Sequence, residues 1–549
     1  MGLRVRGADR EQDSVDKTRT EQRVPEPRKA DDVPEGARLG PGSSGGSEAR
    51  SPVSRTPPRR GRLDPTDWGA FQAACHQVVD DVVERFRDEG EGEVWRPLPD
   101  RLRERWGEGP LPRAGRPLEQ VLDAVRDDIL PHTLGNTHPR FFGWVHGSGT
   151  PTGALAEFLA GAMNANTGGR DHAPILVEEA VVGWMKELFA FPEGATGLLV
   201  SGTSLATIVG LAVARHRATG GRDRAEGVAG VAGEGRLVGY TTADGHTSLR
   251  DAFSLLGLGA DALRKVAMTP DGAMDVEALE AAVEKDRRAG RRPFVVVGTV
   301  GSVTCGAVDD LRALRRVADE YGLWLHVDGA FGAALAASPR LAGRLRGIGE
   351  ADSLAFDFHK WFHVPYDAGC ILVRDGALHR ATFGGRPDYL TSLEEGPAAG
   401  DLWPCDLGPE LSRGFRAFKV WMTLKNLGLD AVGRAVEANV RQAARLAARV
   451  QAEEELELLA PAELNIVCLR YRPEESGHAS DEELNELNRE MLLELHRRGI
   501  AVPSPIRRGD AFGIRVCVCN HRTRDEDMDL LADAVLELGR RLTPQAAGR

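Results

Sequence analysis

Between about residues 140 and 420, short apolar runs alternate with longer amphipathic stretches, and few folds accommodate this alternation. The runs that predict strands are 197–200, 237–241, 294–299, 323–327, 354–356 and 370–373. Amphipathic stretches such as 204–216 and 311–321 predict helices between the strands. A chain that alternates in this way forms a mostly parallel (mixed) sheet with helices on both faces. The predicted fold class is therefore α/β.

The flanking segments differ in pattern from this central region. Residues 1–62 are polar and rich in Arg, Pro, Gly and Ser, so they cannot bury enough apolar surface to fold, and we expect a disordered tail. Residues 63–140 predict helices, the first beginning after Asp67, whose apolar faces are expected to pack on a partner subunit. Residues 141–424 form the predicted large domain, and residues 425–543 predict a small α+β domain.

An aspartate and a lysine stand just after two of the predicted strands. Asp328 follows the run 323–327, and Lys360 follows the run 354–356. In open parallel sheets, ligands bind beyond the carboxyl ends of the strands, so both side chains are expected at one site. A lysine amine can bond covalently to the aldehyde of pyridoxal 5'-phosphate, and a carboxylate can pair with the nitrogen of its pyridine ring. The pair therefore predicts a pyridoxal phosphate enzyme.

Three further features carry weaker signals. Residues 201–207 lie between a predicted strand and a helix, where backbone N–H groups and the hydroxyls of Thr203 and Ser204 can bind a phosphate. His246 follows the next strand, and its imidazole can stack on a pyridine ring. Tyr389 lies in a glycine-rich stretch that is typical of a loop able to close over a site. Each also has an ordinary explanation, as a helix cap, a loop histidine or a surface aromatic anchor.

Composition argues against several other classes of protein. The chain of 549 residues has a formal net charge of -12, which disfavours nucleic-acid binding. It contains no apolar run of about 18 residues or more, so no membrane span is expected. Seven cysteines at irregular spacing, without a secretory signal, fit a reducing cytosol and predict neither a disulfide framework nor a metal site. We expect a cytoplasmic protein that binds no metal.

Taken together, these motifs resemble the group II pyridoxal-dependent amino-acid decarboxylases, most closely the aromatic-L-amino-acid decarboxylase family. The resemblance runs from about residue 65 to residue 543. The matching pieces, in the family's order, are His138-Pro-Arg-Phe-Phe, Ser201-Gly-Thr-Ser, Ala243-Asp-Gly-His, Gly298-Thr-Val-Gly-Ser, His326-Val-Asp, His359-Lys-Trp, Tyr389-Leu and Phe415-Arg-Ala-Phe-Lys-Val-Trp. The His-Val-Asp and His-Lys-Trp pieces at their spacing are the most specific part.

The resemblance implies a fold type I enzyme that decarboxylates an L-amino acid with pyridoxal 5'-phosphate. It also implies a homodimer whose active sites lie at the subunit interface. Lys360 would bond covalently to the cofactor, Asp328 would pair with its ring nitrogen, and His246 would stack on its ring. Tyr389 would donate a proton to the substrate carbon. Relatives that produce aldehydes have Phe at this loop position or Asn at the stacking position, so Tyr389 and His246 both resemble the true decarboxylases.

The resemblance also assigns residues to the rest of the cofactor. Thr203 and Ser204 would hold the phosphate. Thr299, Ala330 and His359 are further residues expected to contact the cofactor.

The residues expected to line the substrate pocket leave the substrate side chain open. They are His138, Phe141, Trp144, His146 and Arg170. Trp144 offers a flat surface that favours an aromatic amino acid, whereas His146 and Arg170 could favour an acidic or polar side chain. Aromatic L-amino acids are the leading substrate class, and glutamate, aspartate or diaminobutyrate are the alternatives.

Two other functions share parts of this pattern. A pyridoxal-dependent aminotransferase or lyase has the same fold and the same Lys–Asp pair, and Arg515 could bind its substrate's carboxylate. A non-catalytic scaffold would be expected to lack Lys360 or Asp328, and both are present. The predicted partner is a small amino acid, with neither nucleic acid nor membrane.

Overall fold

The computed structural model describes residues 63–107, 111–231, 233, 235–385, 392–473 and 480–543. The chain divides into two units, Met1–Thr66 and Asp67–Arg549. The predicted tail, residues 1–62, lies outside the described residues. All elements described below belong to the second unit. The division of this unit into domains at residues 141 and 425 stays a prediction.

A mixed sheet forms the centre of the second unit. Within the described residues it has seven strands, in the spatial order Thr196–Val200, Gly369–Val373, Ser353–Asp357, Trp324–Asp328, Arg292–Thr299, Leu237–Thr242 and Leu263–Val266. Neighbouring strands pair in parallel except at Gly369–Val373, which runs antiparallel to both of its neighbours. The predicted α/β class and the six predicted strands are confirmed, each strand to within two residues.

Helices cover both faces of this sheet. Every residue of Trp324–Asp328 and Ser353–Asp357 is buried, and both faces must be covered because side chains alternate between them. The helices on the chain around this sheet are Pro151–Met163, Ala173–Leu188, Thr203–Thr219, Asp223–Gly230, Thr247–Leu255, Val276–Arg288, Leu311–Tyr321, Gly376–Phe383 and Arg416–Leu427. Short 3-10 helices occupy Ala260–Ala262, Gly332–Ala337, Ala342–Leu345, Ile348–Glu350 and Pro404–Leu407.

The helix Leu311–Tyr321 illustrates how the sequence specifies these elements. The Asp310 side chain accepts hydrogen bonds from the N–H groups of Arg312 and Ala313, which satisfies two donors that the first turn leaves free. Leu311, Leu314, Val317 and Ala318 recur at helical spacing and are all buried. Gly322 ends the helix with φ +72°, a conformation that glycine adopts without steric cost.

A second, smaller sheet follows along the chain. Its strands, in spatial order, are Phe141–Phe142, Val502–Arg508, Ala511–Cys517, Ile466–Tyr471 and Leu456–Leu458. The helices Leu429–Ala452, Asp481–Arg497 and Asp525–Leu542 accompany it. Phe141–Phe142 pairs in parallel with Val502–Arg508, and the other pairs are antiparallel. The predicted domains place Phe141 and Phe142 in the large domain (141–424), although both pair with a strand of the smaller sheet.

The amino-terminal part of this unit is helical, as predicted. Its helices are Trp68–Arg87, Asp100–Gly107, Leu118–Ala124 and the π-helix Val125–Ile129, followed by the 3-10 helix Leu130–His132. Asp67 caps the first helix by accepting from the N–H groups of Gly69 and Ala70. No residue of Trp68–Arg87 is buried, so its apolar face is open in the single chain. Among the described helices, none combines the length and apolarity that crossing a bilayer requires.

Candidate active site

A cleft of about 540 Å³ lies where the strands of the large sheet end. Asp328, Thr299 and Asp357 are the last residues of three neighbouring strands, and all three line the cleft. This agrees with the position expected for ligands in a parallel sheet. The predicted site residues that line the cleft are Trp144, His146, Thr203, Ser204, His246, Thr299, Asp328, Ala330, His359 and Lys360.

Asp328 is buried at the end of its strand, with 5% of its surface exposed. Its Oδ1 accepts a hydrogen bond from the N–H of Ala330 at 3.1 Å, which fixes the carboxylate at the floor of the cleft. Burial raises the pKa of Asp328, because the charged form loses hydration, and the nearby Lys360 ammonium opposes this shift. A carboxylate held in this way has little water to solvate it and is suited to pair with a cationic group.

Lys360 follows the strand Ser353–Asp357 and reaches the cleft from a turn of buried aromatic residues. Phe358, two residues before it, and Trp361, directly after it, are 0% exposed. The side chain of Lys360 itself is 22% exposed, so its amine is accessible from the cleft. Its Nζ lies 3.0 Å from Oδ2 of Asp357.

Asp357 connects Lys360 to the first residue of the helix Thr203–Thr219. Its Oδ1 accepts a hydrogen bond of 2.7 Å from the N–H of Thr203, the first residue of the helix Thr203–Thr219. Its Oδ2 contacts Lys360 and lies 3.6 Å from Nε2 of His359. The carboxylate is 2% exposed. The carboxylate of Asp357 therefore fixes the distance between Lys360 and the N-terminus of the helix Thr203–Thr219.

The N-terminus of the helix Thr203–Thr219 has the properties of a phosphate site. The first turn of a helix carries free N–H groups and the positive end of the helix dipole. The Oγ1 atoms of Thr203 and Thr299 are buried beside the cleft, and neither has a hydrogen-bond partner within the described part of the chain. The unpartnered hydroxyl of Thr203 at the helix N-terminus and that of Thr299 at the end of its strand fit an anionic group with several oxygen acceptors, such as a phosphate ester.

Two histidines stand on the walls of the cleft. His246 precedes the helix Thr247–Leu255, and its Nδ1 accepts a hydrogen bond of 3.2 Å from the N–H of Ser248, which fixes the imidazole at the helix start. His359 accepts a hydrogen bond of 3.1 Å at Nδ1 from the N–H of Ala368, and burial lowers its pKa. Both rings are thus held by backbone N–H groups, which sets the orientation of each imidazole.

A row of aromatic rings extends from the lysine turn along the cleft. The ring centroids of His359 and Tyr366 are 4.4 Å apart, those of Tyr366 and His146 are 6.0 Å apart, and those of His146 and Trp144 are 5.7 Å apart. All four residues line the cleft. Trp144 is 49% exposed and offers a flat apolar surface. We call Trp144, His146, Tyr366 and His359 the aromatic wall.

The loop that carries Trp144 and His146 approaches the lysine turn closely. A Cβ atom added at Gly147 would lie 1.9 Å from the carbonyl oxygen of His359, so only glycine fits there. The ring of Phe141, at the start of this loop, is tilted by 36° to the ring of Trp144, with 6.3 Å between their centroids. This close approach places the aromatic wall beside Lys360.

Three residues predicted for the substrate pocket are not among those lining the cleft. His138 is 4% exposed and is turned into the protein, where burial lowers its pKa to about 4. Phe141 is 3% exposed because it belongs to the strand that pairs with Val502–Arg508. The guanidinium of Arg170 lies 4.6 Å from the ring centroid of Trp403. Tyr389 lies outside the described residues.

Other lining residues were not predicted from the sequence. Tyr366 and Asp244 line the cleft, and the ion pair between Asp357 and Lys360 joins two residues three positions apart. The spacing of this ion pair is visible in the sequence as Asp-Phe-His-Lys, but its geometry depends on the turn after the strand. Arg515 is 4% exposed and donates from Nη1 to the carbonyl oxygen of Trp144 at 2.9 Å, so it supports the aromatic wall from behind.

The geometry of the cleft agrees with comparisons to known proteins. The model of a pyridoxal-dependent decarboxylase conserved domain matches residues 99–472. This chain belongs to that family. It is accordingly a carboxy-lyase that acts on an amino acid and uses pyridoxal phosphate as its cofactor. The unpartnered hydroxyls of Thr203 and Thr299 and the buried carboxylate of Asp328 are chemically suited to this cofactor.

Several characterised decarboxylases are similar to this family member. It is 32% identical over 425 residues to an aromatic-L-amino-acid decarboxylase of Bacillus atrophaeus, covering 76% of this chain and 85% of that protein. It is 28% identical over 480 residues to an acidic amino acid decarboxylase of Homo sapiens, covering 85% and 90%. A crystal structure of Oryza sativa TDC with PLP and tryptamine superposes with a TM-score of 0.79 at 23% identity, covering 88% of this chain and all (100%) of that one. The last of these supports the fold type I architecture.

Proposed function

We propose that this decarboxylase converts an aromatic L-amino acid to the corresponding amine and CO₂. The aromatic wall is the observation that carries the proposal, because Trp144, His146 and Tyr366 form a continuous set of rings beside Lys360. Aromatic side chains bind such surfaces through apolar burial and offset stacking. The similarity to the Bacillus atrophaeus aromatic-L-amino-acid decarboxylase agrees with this substrate class.

The charges that line the cleft disfavour an acidic side chain. Within the described residues, three carboxylates line it, those of Asp244, Asp328 and Asp357, and the only lysine or arginine that lines it is Lys360. Arg170, which the sequence suggested as a partner for an acidic substrate, stacks on Trp403 instead. Among the described residues that line this cleft, a second carboxylate on the substrate would meet no arginine and no lysine other than Lys360, and an unpaired charge is costly in a desolvated site.

The proposed roles of the residues follow from their positions. Bound pyridoxal phosphate supplies an electron-withdrawing ring that accepts the electrons released when the carboxylate leaves as CO₂. Lys360 would provide the amine that holds the cofactor, and Asp357 would hold the lysine ammonium whenever the amine is protonated, at the 3.0 Å distance observed. Asp328 would keep a proton on the ring nitrogen, since its carboxylate is buried and fixed by the N–H of Ala330.

The remaining walls of the cleft would position and enclose the reacting groups. Thr203, Ser204 and Thr299 would bind the phosphate through hydroxyl and backbone donors. His246 would lie against the ring, with its orientation set by the N–H of Ser248. Tyr389, outside the described residues, would donate the proton that replaces the carboxylate. Holding the carboxylate bond in one orientation is what favours decarboxylation over transamination.

The proposal is tested by a panel of L-amino acids assayed for both CO₂ and keto-acid formation. We expect CO₂ release to be fastest with an aromatic amino acid, by about tenfold or more in kcat/KM over glutamate, aspartate and diaminobutyrate, because these lack a ring to pack on the wall. Faster release from an acidic or diamino acid would contradict the proposed substrate class. Keto-acid formation as the main reaction would identify an aminotransferase.

We further propose that the chain forms a homodimer through its amino-terminal helices. An apolar groove of about 640 Å³ is formed by these helices and Pro151–Met163, and its members include Val79, Val83 and Phe158. Phe158 is 60% exposed and Val83 is 49% exposed in the single chain. Contiguous exposed apolar surfaces of this kind mark subunit interfaces. A dimer with its active sites at the interface is also what the family resemblance implies.

Size-exclusion chromatography with light scattering tests the dimer. We expect the mass of a dimer for the unmodified protein and a shift towards monomer for Phe158→Glu, because a charge would be buried without a partner. Leu255→Glu is the matched control, since Leu255 is 73% exposed and does not line the groove. A monomeric unmodified protein, or an equal response of both variants, would contradict the proposed interface.

A further inference from the structure

His146 belongs to the aromatic wall and carries two ring nitrogens that can form hydrogen bonds. Its ring lies 5.7 Å from that of Trp144 and 6.0 Å from that of Tyr366, and it lines the cleft half-buried. Within the described part of the chain it makes no hydrogen bond. By contrast, His359 is already held by the N–H of Ala368, and the phenol oxygen of Tyr366 lies against the backbone of Gly147.

The protonation state of His146 defines what it can recognise. Burial lowers the pKa of His146, and the nearby ammonium of Lys360 lowers it further, so both effects favour the neutral imidazole. A neutral imidazole carries one N–H donor and one acceptor nitrogen. It can therefore give a hydrogen bond to a hydroxyl group or receive one from it, whereas it provides no charge for a carboxylate.

The surroundings of His146 make this capacity selective. Trp144 and Val145, which precede it, line the cleft with apolar and aromatic surface, so a bound aromatic side chain would exclude water from this part of the cleft. An imidazole covered by an unsubstituted ring would then lose its hydrogen bonds to water and gain none in return. Sites that are built to hydrogen-bond a hydroxyl discriminate strongly against the analogue that lacks it.

We propose that His146 selects aromatic amino acids whose ring carries a hydroxyl group over those whose ring carries none. The inference rests on the proposed function, namely that the substrate is aromatic. His146 acts through contact with the substrate ring, at a distance from the bond that breaks.

The test compares L-tyrosine with L-phenylalanine, which differ only by the ring hydroxyl. For the cofactor-loaded enzyme we expect kcat/KM to favour tyrosine by about tenfold or more, the scale of one hydrogen bond made in a desolvated site. His146→Leu, which keeps an apolar side chain in the wall, should bring the ratio close to one. His146→Gln, which restores a donor and an acceptor, should recover part of the preference for tyrosine.

Trp144→Leu is the matched control in the same wall. Trp144 contacts the substrate ring through its flat face in this scheme, so its loss should lower kcat/KM for tyrosine and phenylalanine by a similar factor and leave their ratio in place. Equilibrium binding of the product amines, tyramine and phenethylamine, gives a second readout that does not depend on turnover. The preference for tyramine should disappear in His146→Leu.

The outcomes separate this inference from the proposed function. A tyrosine-to-phenylalanine ratio near one in the unmodified enzyme, or a ratio unchanged in His146→Leu, overturns the role of His146 while leaving an aromatic substrate in place. If neither aromatic amino acid releases CO₂ and an acidic one does, the proposed substrate class fails and this inference fails with it.

Discussion

Replacing Lys360 with alanine is expected to abolish decarboxylation and the absorbance of covalently held pyridoxal phosphate. The amine of Lys360 lies in the cleft, beside the carboxylate of Asp357 and in a turn of buried aromatic residues. In the described residues that line the cleft there is no other lysine to replace it. Loss of a covalent catalytic group lowers kcat by roughly 10⁴-fold or more. The measurements are CO₂ release with the best substrate of the panel and the absorbance spectrum of the purified protein.

Two variants distinguish chemistry from structural support at this position. Lys360→Arg keeps a cation beside Asp357, but a guanidinium stays protonated and does not act as the attacking amine, so it should be as inactive as the alanine variant. Lys425→Ala removes a lysine that lies 5.5 Å from the ring of Trp184 and does not line the cleft, and it should retain both activity and absorbance. Substantial CO₂ release by Lys360→Arg would mean that the residue serves mainly as a counter-ion.

The second large effect is expected for Asp328→Asn. The amide has nearly the shape of the carboxylate and can still accept the hydrogen bond from the N–H of Ala330, but it has no negative charge with which to hold a proton on the ring nitrogen. Removing a buried electrostatic partner of this kind lowers kcat by about 10²- to 10³-fold. The cofactor should remain covalently bound, because Lys360 is intact. Steady-state kinetics and the absorbance spectrum report these two quantities separately.

Asp352→Asn is the matched control for this variant. Asp352 accepts a hydrogen bond of 2.7 Å from the N–H of Leu325, near the start of the strand that Asp328 ends, and it forms an ion pair with Arg315. It does not line the cleft. Its replacement should lower thermal stability while kcat/KM stays within a few-fold of the unmodified value. An Asp328→Asn enzyme that is as active as this control would refute the proposed role of Asp328.

The large sheet was predictable because its strands carry a strong local signal. Trp324–Asp328 and Ser353–Asp357 are mostly apolar and fully buried, as strands covered on both faces are expected to be. Leu263–Val266 was missed, since its middle residues, Arg264 and Lys265, are polar and the strand lies at the edge of the sheet. The two-residue strand Phe141–Phe142 was missed because its pairing with Val502–Arg508 joins distant parts of the chain.

The convergence of the central residues of the candidate site on one cleft was predictable for a related reason. Asp328 and Lys360 follow buried strands, so the topology of a parallel sheet alone brings them to one edge. The residues that line the substrate side of the cleft could not be predicted in the same way, because the conformations of loops determine them. Phe141 and Trp144 are three residues apart, yet one is buried in a strand and the other faces the cleft. Arg170 has φ +93°, and its guanidinium lies over the ring of Trp403. The local sequence does not predict this contact.

The strand Phe141–Phe142 links the aromatic wall to the last fifth of the polypeptide. It is hydrogen-bonded to Val502–Arg508, and two residues later the chain reaches Trp144, whose carbonyl oxygen is bound by Arg515. Substitutions near the carboxyl terminus, far from the cofactor in sequence, can thus shift Trp144 and His146 and change which amino acid is accepted. Libraries intended to alter selectivity should therefore include residues 502–515 together with the cleft, and a truncation that removes this segment would leave the substrate-binding loop without its attachment.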